Sequence, residues 1–299
     1  MATSPDSPRI DRAGLHRFDA VVATYNAPPE RLARTVRSAL ASGASRVLII
    51  DDGSVVPADA TTLESGRGRV EIARQENAGP ASARNKGIDR VEASLVVFVD
   101  DDDELVPDGV QEMAGLLSRL GTGGAVGARI HAWPNGRVES RPVPPEWANA
   151  ALPHPSHVLR PIGLFGASGC MVRRDVLTAG IRFDPGLRLG EDRDFLRRVA
   201  AQGGLAVCSS VVVRVSMHEG GANLSSPSHY ARRIRDHLVL LDRWSDDVAM
   251  AHHREATRWL INASAKAGVD RASWEALIGA SRARGWPVPL KARVRYALG

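Results

Sequence analysis

Leu95-Val-Val-Phe-Val-Asp-Asp-Asp-Asp103 sets five consecutive apolar residues directly against four consecutive carboxylates. A run of this length, rich in β-branched and aromatic side chains, predicts a strand buried on both faces, the pattern of a sheet covered by helices on each side. The carboxylates then stand at the carboxyl end of the strand, where open α/β sheets bind their ligands. Adjacent charges of one sign repel unless a cation or an array of donors offsets them. A hard divalent ion, manganese or magnesium, takes a few carboxylate oxygens and completes its shell with water and substrate phosphate. In extended backbone Asp100 and Asp102 point to the same side, which makes them the candidate metal ligands. Asp103 and Glu104 could instead favour the start of the following helix through its dipole, but that does not account for all four acids.

The same alternation extends outward. Residues 18–24, 46–51 and 69–73 read as strands, and 31–40 and 80–91 as helices between them, which predicts a mostly parallel α/β sheet flanked by helices. A helix from Pro107 to 120 and a strand over 125–132 follow. Residues 133–163 are rich in proline and read as a long loop of the kind that usually carries function. Trp133 and Trp147 within it suit either sugar stacking or packing. Order returns over 165–173, with helices at 175–179 and 191–201 and a strand at 205–215. From about 228 onward the pattern is helical, over 230–244, 248–267 and 271–284. The expected divisions are a flexible 1–17, an α/β unit over 18–226 divided at the start of the proline-rich loop into 18–132 and 133–226, and a helical extension over 227–299.

At 299 residues, 43% hydrophobic and 24% charged, the chain has the composition of a folded globular protein rather than a disordered or collagenous one. No apolar run approaches the roughly 18–20 residues of a membrane span. The first residues lack a basic and then apolar leader, so a cytoplasmic location is expected. Cys170 and Cys208 read as small core residues. Residues 228–299 carry 13 basic and 7 acidic side chains on a nearly neutral body. With Leu238, Leu241 and Trp244 near Arg232, Arg233 and Arg235, this suggests peripheral contact at the inner face of an anionic membrane.

The other strand ends are polar too. They carry Thr24-Tyr25-Asn26, Asp51-Asp52-Gly53-Ser54 and, before the second helix, Asn77-Ala-Gly79-Pro80. The acids of the second group suit an ordinary turn or hydrogen bonds to a nucleobase or ribose. The Gly79-Pro80 junction offers a helix N-terminus that, with Arg84 or Lys86, can approach a diphosphate. No G-x-G-x-x-G follows a strand and no P-loop is present, which speaks against a dinucleotide dehydrogenase and excludes an ATPase of the P-loop type.

As a set, Val22-Ala-Thr-Tyr-Asn26, Ile50-Asp-Asp-Gly-Ser54, Asn77-Ala-Gly-Pro-Ala-Ser-Ala-Arg-Asn-Lys-Gly87, Val99-Asp-Asp-Asp-Asp103 and Phe183-Asp-Pro-Gly-Leu-Arg-Leu-Gly-Glu-Asp-Arg-Asp194 resemble the inverting family-2 glycosyltransferases of the GT-A (Rossmann-like) fold. The resemblance runs from Val21 to about Ser226 and implies that 18–226 is the glycosyltransferase unit, with 18–132 its nucleotide-sugar half and 133–226 its acceptor half. It implies that Thr24 and Asp52 hold the nucleoside, among nucleotide-sugar contacts that also include Tyr25, Asn26, Asp51, Gly79, Arg84, Asp100 and Asp101. Asp100-x-Asp102 would be the D-x-D motif for metal and diphosphate, with Asp101 not bonded to the metal. Glu191-Asp192 would be the acidic pair that includes the catalytic base, Asp192 being favoured. His218 would complete the metal shell, although its polar followers Asn223 and Ser225 lie a residue or two beyond the usual spacing.

The expected reaction is metal-dependent, inverting transfer of a sugar from a UDP-sugar to the hydroxyl of a saccharide or lipid-linked acceptor, in polysaccharide, glycolipid or other glycoconjugate synthesis. The acceptor site is expected from the proline-rich loop, residues 166–169 and the start of the helix at 191. The alternatives are a sugar nucleotidyltransferase of related fold and a non-catalytic carbohydrate- or nucleic-acid-binding protein. No nucleic-acid partner is expected.

Overall fold

The computed structural model describes residues 14–59, 69–218 and 229–298. Of the N-terminal segment expected to be flexible, residues 1–13 lie outside the described residues, as do Asn223 and Ser225; the His16 backbone N–H is held by Gln111 at 2.8 Å. Strands β1 (Phe18–Thr24), β2 (Ala44–Asp51), β3 (Arg69–Arg74) and β4 (Leu95–Asp100) alternate with helices α1 (Pro29–Ala41) and α2 (Pro80–Ile88). Then come β5 (Glu104–Leu105), α3 (Pro107–Leu120), β6 (Gly124–Ala132), β7 (Val138–Arg141), β8 (Ala150–Ala151), β9 (Met171–Arg173), α4 (Arg174–Thr178), α5 (Glu191–Gly203) and β10 (Leu205–Ser216). Helices α6 (Tyr230–Arg243), α7 (Asp247–Ala267), α8 (Arg271–Ala283) and α9 (Leu290–Leu298) complete the described chain.

One sheet runs in the order β3-β2-β1-β4-β9-β6-β10-β5, with β7 on β6 and β8 on β10. The pairs among β1–β4, and β6 with β10, are parallel. The three-residue β9 enters antiparallel between β4 and β6 and joins the two parallel blocks. Alternating side chains of the central strands go to opposite faces. Ala20, Val22, Val47, Ile49, Val97 and Val99 meet α1 and α3, whereas Val21, Leu48, Val96 and Phe98 meet α2 and α5. Phe98, Phe183 and Phe195 form an aromatic nucleus on the second face, with Phe183 stacked on Phe195 at 3.9 Å. The register sets Thr24 beside Asp51 and Ala23 beside Asp100, so three polar strand ends lie level.

The proline-rich segment is more ordered than its lack of periodicity suggests. The Asn135-Gly136 turn closes a hairpin between β6 and β7, Trp133 N–H donating to the Arg137 carbonyl at 2.9 Å. Two 3₁₀ turns, Pro145–Trp147 and Pro155–Leu159, each begin on a proline whose missing N–H costs nothing there. Trp147 is buried against Phe165 and His157, which settles it as packing.

The C-terminal helices share an apolar cluster around Ile234, Ile261, Trp274 and Leu277. They dock on the sheet domain through acids. Asp194 of α5, fully buried, accepts from Arg243 at 2.8 Å and from the Trp244 indole at 3.2 Å. Asp246 takes the Ser156 hydroxyl at 2.7 Å and Arg197 at 3.0 Å. The apolar face of α6 expected to meet a membrane therefore faces inward: Leu241 is buried, Leu238 packs against the helical cluster, and Trp244 lies under Arg197 at 3.9 Å. Among the described residues no helix is long and apolar enough to cross a membrane.

Gly109, in the first turn of α3, lets that helix touch β10, because a Cβ there would lie 1.9 Å from the Val211 carbonyl oxygen. Gly→Ala in a helix ordinarily gains up to about 1 kcal/mol. Here the clash should reverse the sign, with Gly109→Ala losing about 1–3 kcal/mol in a urea titration. An unchanged or higher midpoint would contradict this packing.

Candidate functional site

A cleft of about 1030 Å³ opens along the carboxyl ends of β1 and β4. On one side it is lined by Thr24, Tyr25, Asp52, Asn77 and Gly79. Asp52 is nearly buried, and three donors orient its carboxylate: the Gln75 amide at 2.7 Å and the N–H groups of Ala78 and Gly79 at 2.9 and 2.8 Å. Of the roughly four acceptor positions of a carboxylate this leaves one for a ligand. Gly79 has φ +90°, which favours glycine, and the Arg188 guanidinium lies over it, 2.4 Å from where a Cβ would stand. The following helix, α2, has Pro80 in its first turn and no side-chain cap.

Neither Asp51 nor Asn26 is among the residues lining the cleft. Asp51 accepts from the N–H groups of Ser54 and Ala58 at 2.8 and 3.1 Å. Burial pushes its pKa up, and these donors more than reverse the effect, leaving it below the ordinary value. Asn26, at φ +53°, receives the Val55 N–H on its side chain and donates its own N–H to Ser54. The structure gives this pair the task of bracing two loops, rather than the nucleotide contacts expected from the sequence.

The acidic run turns instead of staying extended: the Asp103 N–H donates to the Asp100 carbonyl at 3.1 Å. That turn separates the four carboxylates. Asp101 accepts from Thr24 at 2.7 Å and Arg31 at 3.4 Å, joining β1 to β4, and burial raises its pKa. Asp103 is buried and takes the Ser216 N–H at 2.9 Å; burial and then the charges of Asp100 and Asp102 push its pKa well up. It is not a helix-start acid, since Glu104 pairs with Arg214 in the sheet and the helix begins at Pro107. Asp100 and Asp102 remain facing the cleft, with Asp102 2.6 Å from His218 Nε2.

Among the described residues no three His, Cys, Asp or Glu side chains form a ready metal cage. Two cleft carboxylates and an imidazole nonetheless fit a hard divalent ion that takes its remaining ligands from water and substrate phosphate. The negative charge that raises the pKa of Asp103 is the local excess such an ion would relieve.

Arg84, from α2, is buried between the two acidic groups. It donates to Asp100 at 2.7 Å and to Glu191 at 3.1 Å. Burial opposes its charge, yet the two carboxylates hold its pKa above the ordinary value. Glu191 is pushed up to about 7 by burial and by the charge of Asp192, against the pull of Arg84. Asp192, next along α5, lines the cleft and accepts the Arg193 N–H at 2.7 Å on one oxygen.

Ser168 and its neighbours Gly166 and Ala167 line the cleft as expected, but no residue of 133–163 does; the Pro155–Leu159 turn packs against α5 and α7 instead. Sequence reasoning did not single out Arg129 or Arg188, both of which line the cleft. Arg233 also reaches it, from a helix that reads as an appendage. Asp236, on the same helix, grips the N–H groups of Arg188 and Leu189 at 2.8 and 2.6 Å. An isolated acid among surface-like charges gives no signal for such a role, whereas Arg188 stands inside the quoted 183–194 motif.

Comparison with known proteins gives a consistent result. The model of the family described as "Glycosyl transferase family 2" matches residues 19–179. The succinoglycan biosynthesis proteins ExoU and ExoO of Rhizobium meliloti (strain 1021) are 32% identical over 197 residues and 33% identical over 211 residues, covering 61% and 66% of this chain. The matches span 56% and 59% of those relatives, a little over half their length. S. aureus TarS 1-349 in complex with UDP-GlcNAc superposes with a TM-score of 0.60 at 19% identity, over 93% of this chain and 83% of that one. The UDP complex of the same protein gives 0.54 at 18% identity, over 94% and 88%. These likenesses bear on the fold, a mixed α/β sheet flanked by helices with further helices after it, which is that of the GT-A glycosyltransferases. With more than half of its length matched by the family model, the chain belongs to glycosyl transferase family 2.

Proposed function

We propose that this glycosyltransferase moves a sugar from a nucleotide-sugar, a UDP-sugar by preference, to an acceptor hydroxyl with inversion at the anomeric carbon, in the assembly of a polysaccharide. The observation that carries the proposal is the division of acids in the cleft. Asp100 and Asp102 stand on one side where a diphosphate would leave, and Asp192 stands in the same cleft with, among the described residues, only an adjacent backbone N–H as its hydrogen-bond partner. The relatives named for succinoglycan biosynthesis support the polysaccharide product, and the UDP and UDP-GlcNAc complexes of TarS support the donor class. Family membership sets aside the nucleotidyltransferase and non-catalytic readings.

Asp52 and the start of α2 would orient the nucleoside and diphosphate, while Asp100 and Asp102, with His218, would hold a divalent cation. Such an ion, when bound, supplies positive charge to the departing diphosphate. Asp192 takes the proton of the acceptor hydroxyl as that oxygen attacks the anomeric carbon and the bond to the diphosphate breaks. Glu191 is unsuited to this task, because its carboxylate is buried and bound by Arg84; it holds the helix start in place.

Asp102→Ala should abolish manganese-dependent UDP binding in a calorimetric titration while the metal-free fold stays intact, and wild-type affinity in manganese would show the site to be misplaced. Asp192→Asn should lower turnover about 10² to 10⁴-fold with donor affinity near that of the wild type. Near-normal turnover there, with collapse in Glu191→Gln, would transfer the role to Glu191.

The folded protein binds the Glu191 proton more tightly than the unfolded chain does. Ionisation of this group therefore costs stability as pH rises from 4.5 to about 7, and the loss is complete above that range. Glu191→Gln should narrow the difference in Tm between about pH 5 and about pH 8. A difference as wide as that of the wild type would contradict the assignment.

A further inference from the structure

Arginines in the cleft fall into two groups. Arg31 is paired with Asp101, and Arg84 with Asp100 and Glu191. Arg129 donates to the Ser168 carbonyl at 3.2 Å and lies near enough to Asp103 to lower its pKa. Arg188 and Arg233, by contrast, have no carboxylate within ion-pair distance among the described residues. Arg233 is the more telling of the two. Its Nε is buried with no hydrogen-bond partner, and its guanidinium carbon lies 5.9 Å from the ring centroids of both Tyr230 and Trp259. Two aromatic faces can hold a cation in place without neutralising it. A half-buried guanidinium whose Nε–H is shut off from water and unused is costly unless a ligand compensates it.

The geometry also brings the two arginines to one region of the cleft. Asp236, three residues after Arg233, shares its face of α6 and holds the Arg188 and Leu189 N–H groups. The Arg188 side chain then reaches across to Gly79, at the start of α2. Arg233 lies close enough to Asp192 to feel its charge. Charge, unused donors and access to the cleft thus coincide next to the proposed base.

We propose that Arg233 and Arg188 form an anion subsite that takes a phosphate group of a substrate, with Arg233 supplied by a helix and Arg188 by a loop, both beyond the part of the chain that the family model matches. The proposal rests on the glycosyltransfer reading. Guanidinium groups bind phosphate by paired, charge-assisted hydrogen bonds. The phosphate could belong to the leaving nucleoside diphosphate or to a phosphate-linked acceptor.

The test is calorimetric titration of the full chain and its Arg233→Met and Arg188→Met variants with pyrophosphate in chelator, and with UDP and geranyl diphosphate in manganese. Methionine keeps the length and apolar contacts of Arg233 and removes the uncompensated charge, so the ligand-free Tm of Arg233→Met should equal or exceed that of the wild type. Each variant should bind pyrophosphate about tenfold or more weakly. A matching loss for UDP alone assigns the subsite to the donor, and a loss for geranyl diphosphate alone assigns it to the acceptor. Wild-type pyrophosphate affinity in both variants would overturn the proposal, as would a fall of several degrees in the ligand-free Tm of Arg233→Met, which would make Arg233 a structural strut. Because the pyrophosphate arm needs neither metal nor sugar transfer, its outcome is separate from failure of the wild type to bind UDP in manganese.

Discussion

The bridge from Asp100 through the buried Arg84 to Glu191 is the constraint around which this cleft is organised. A carboxylate on the sheet's central strand and another at the start of α5 lie on opposite sides of one guanidinium. Without it Asp100 and Glu191 would lose the cation they share, in a cleft that already gathers Asp102, Asp103 and Asp192. Removing Arg84 from its buried pairing with Glu191 typically costs on the order of 3–5 kcal/mol, since the carboxylate left behind stays desolvated. The bridge also distinguishes the two acids: it engages Glu191, whereas Asp192, which also lines the cleft, accepts from no arginine side chain among the described residues.

The second support comes from the C-terminal helices. Asp194 is bound by Arg243 and Trp244, so α6 secures the helix that carries the acidic pair. Asp236 secures the loop immediately before that pair through two backbone N–H groups. These contacts make α6 part of the walls of the cleft, although the matched family segment ends at residue 179. They also explain why Ile234, Leu238 and Leu241 point inward.

What was legible in the sequence was the part governed by short-range pattern. The buried runs 46–51 and 95–100 became central strands because their β-branched side chains suit a sheet covered on both faces, and the polar strand ends met in one cleft. The antiparallel β9 was not legible, because three residues carry no measurable alternation and its partners, β4 and β6, flank it only in space. The division of labour among neighbouring acids was equally hidden. Asp51 and Asp52 differ by one position, yet only the second lines the cleft, and Asp100 through Asp103 separate because the backbone turns after Asp100. Such differences depend on which N–H groups converge on a carboxylate from distant segments, and periodicity does not encode that.

With the leaving diphosphate proposed at Asp100 and Asp102 and the proton acceptor at Asp192, the expected course is a single in-line displacement with no glycosylated enzyme intermediate. The most direct measurement is the anomeric configuration of the first product formed from an α-linked nucleotide-sugar, followed by proton NMR before any mutarotation. A β-configured product is the result this arrangement requires. An α-configured product would mean two displacements or a different mode of attack, and would contradict Asp192 as a base acting on the acceptor.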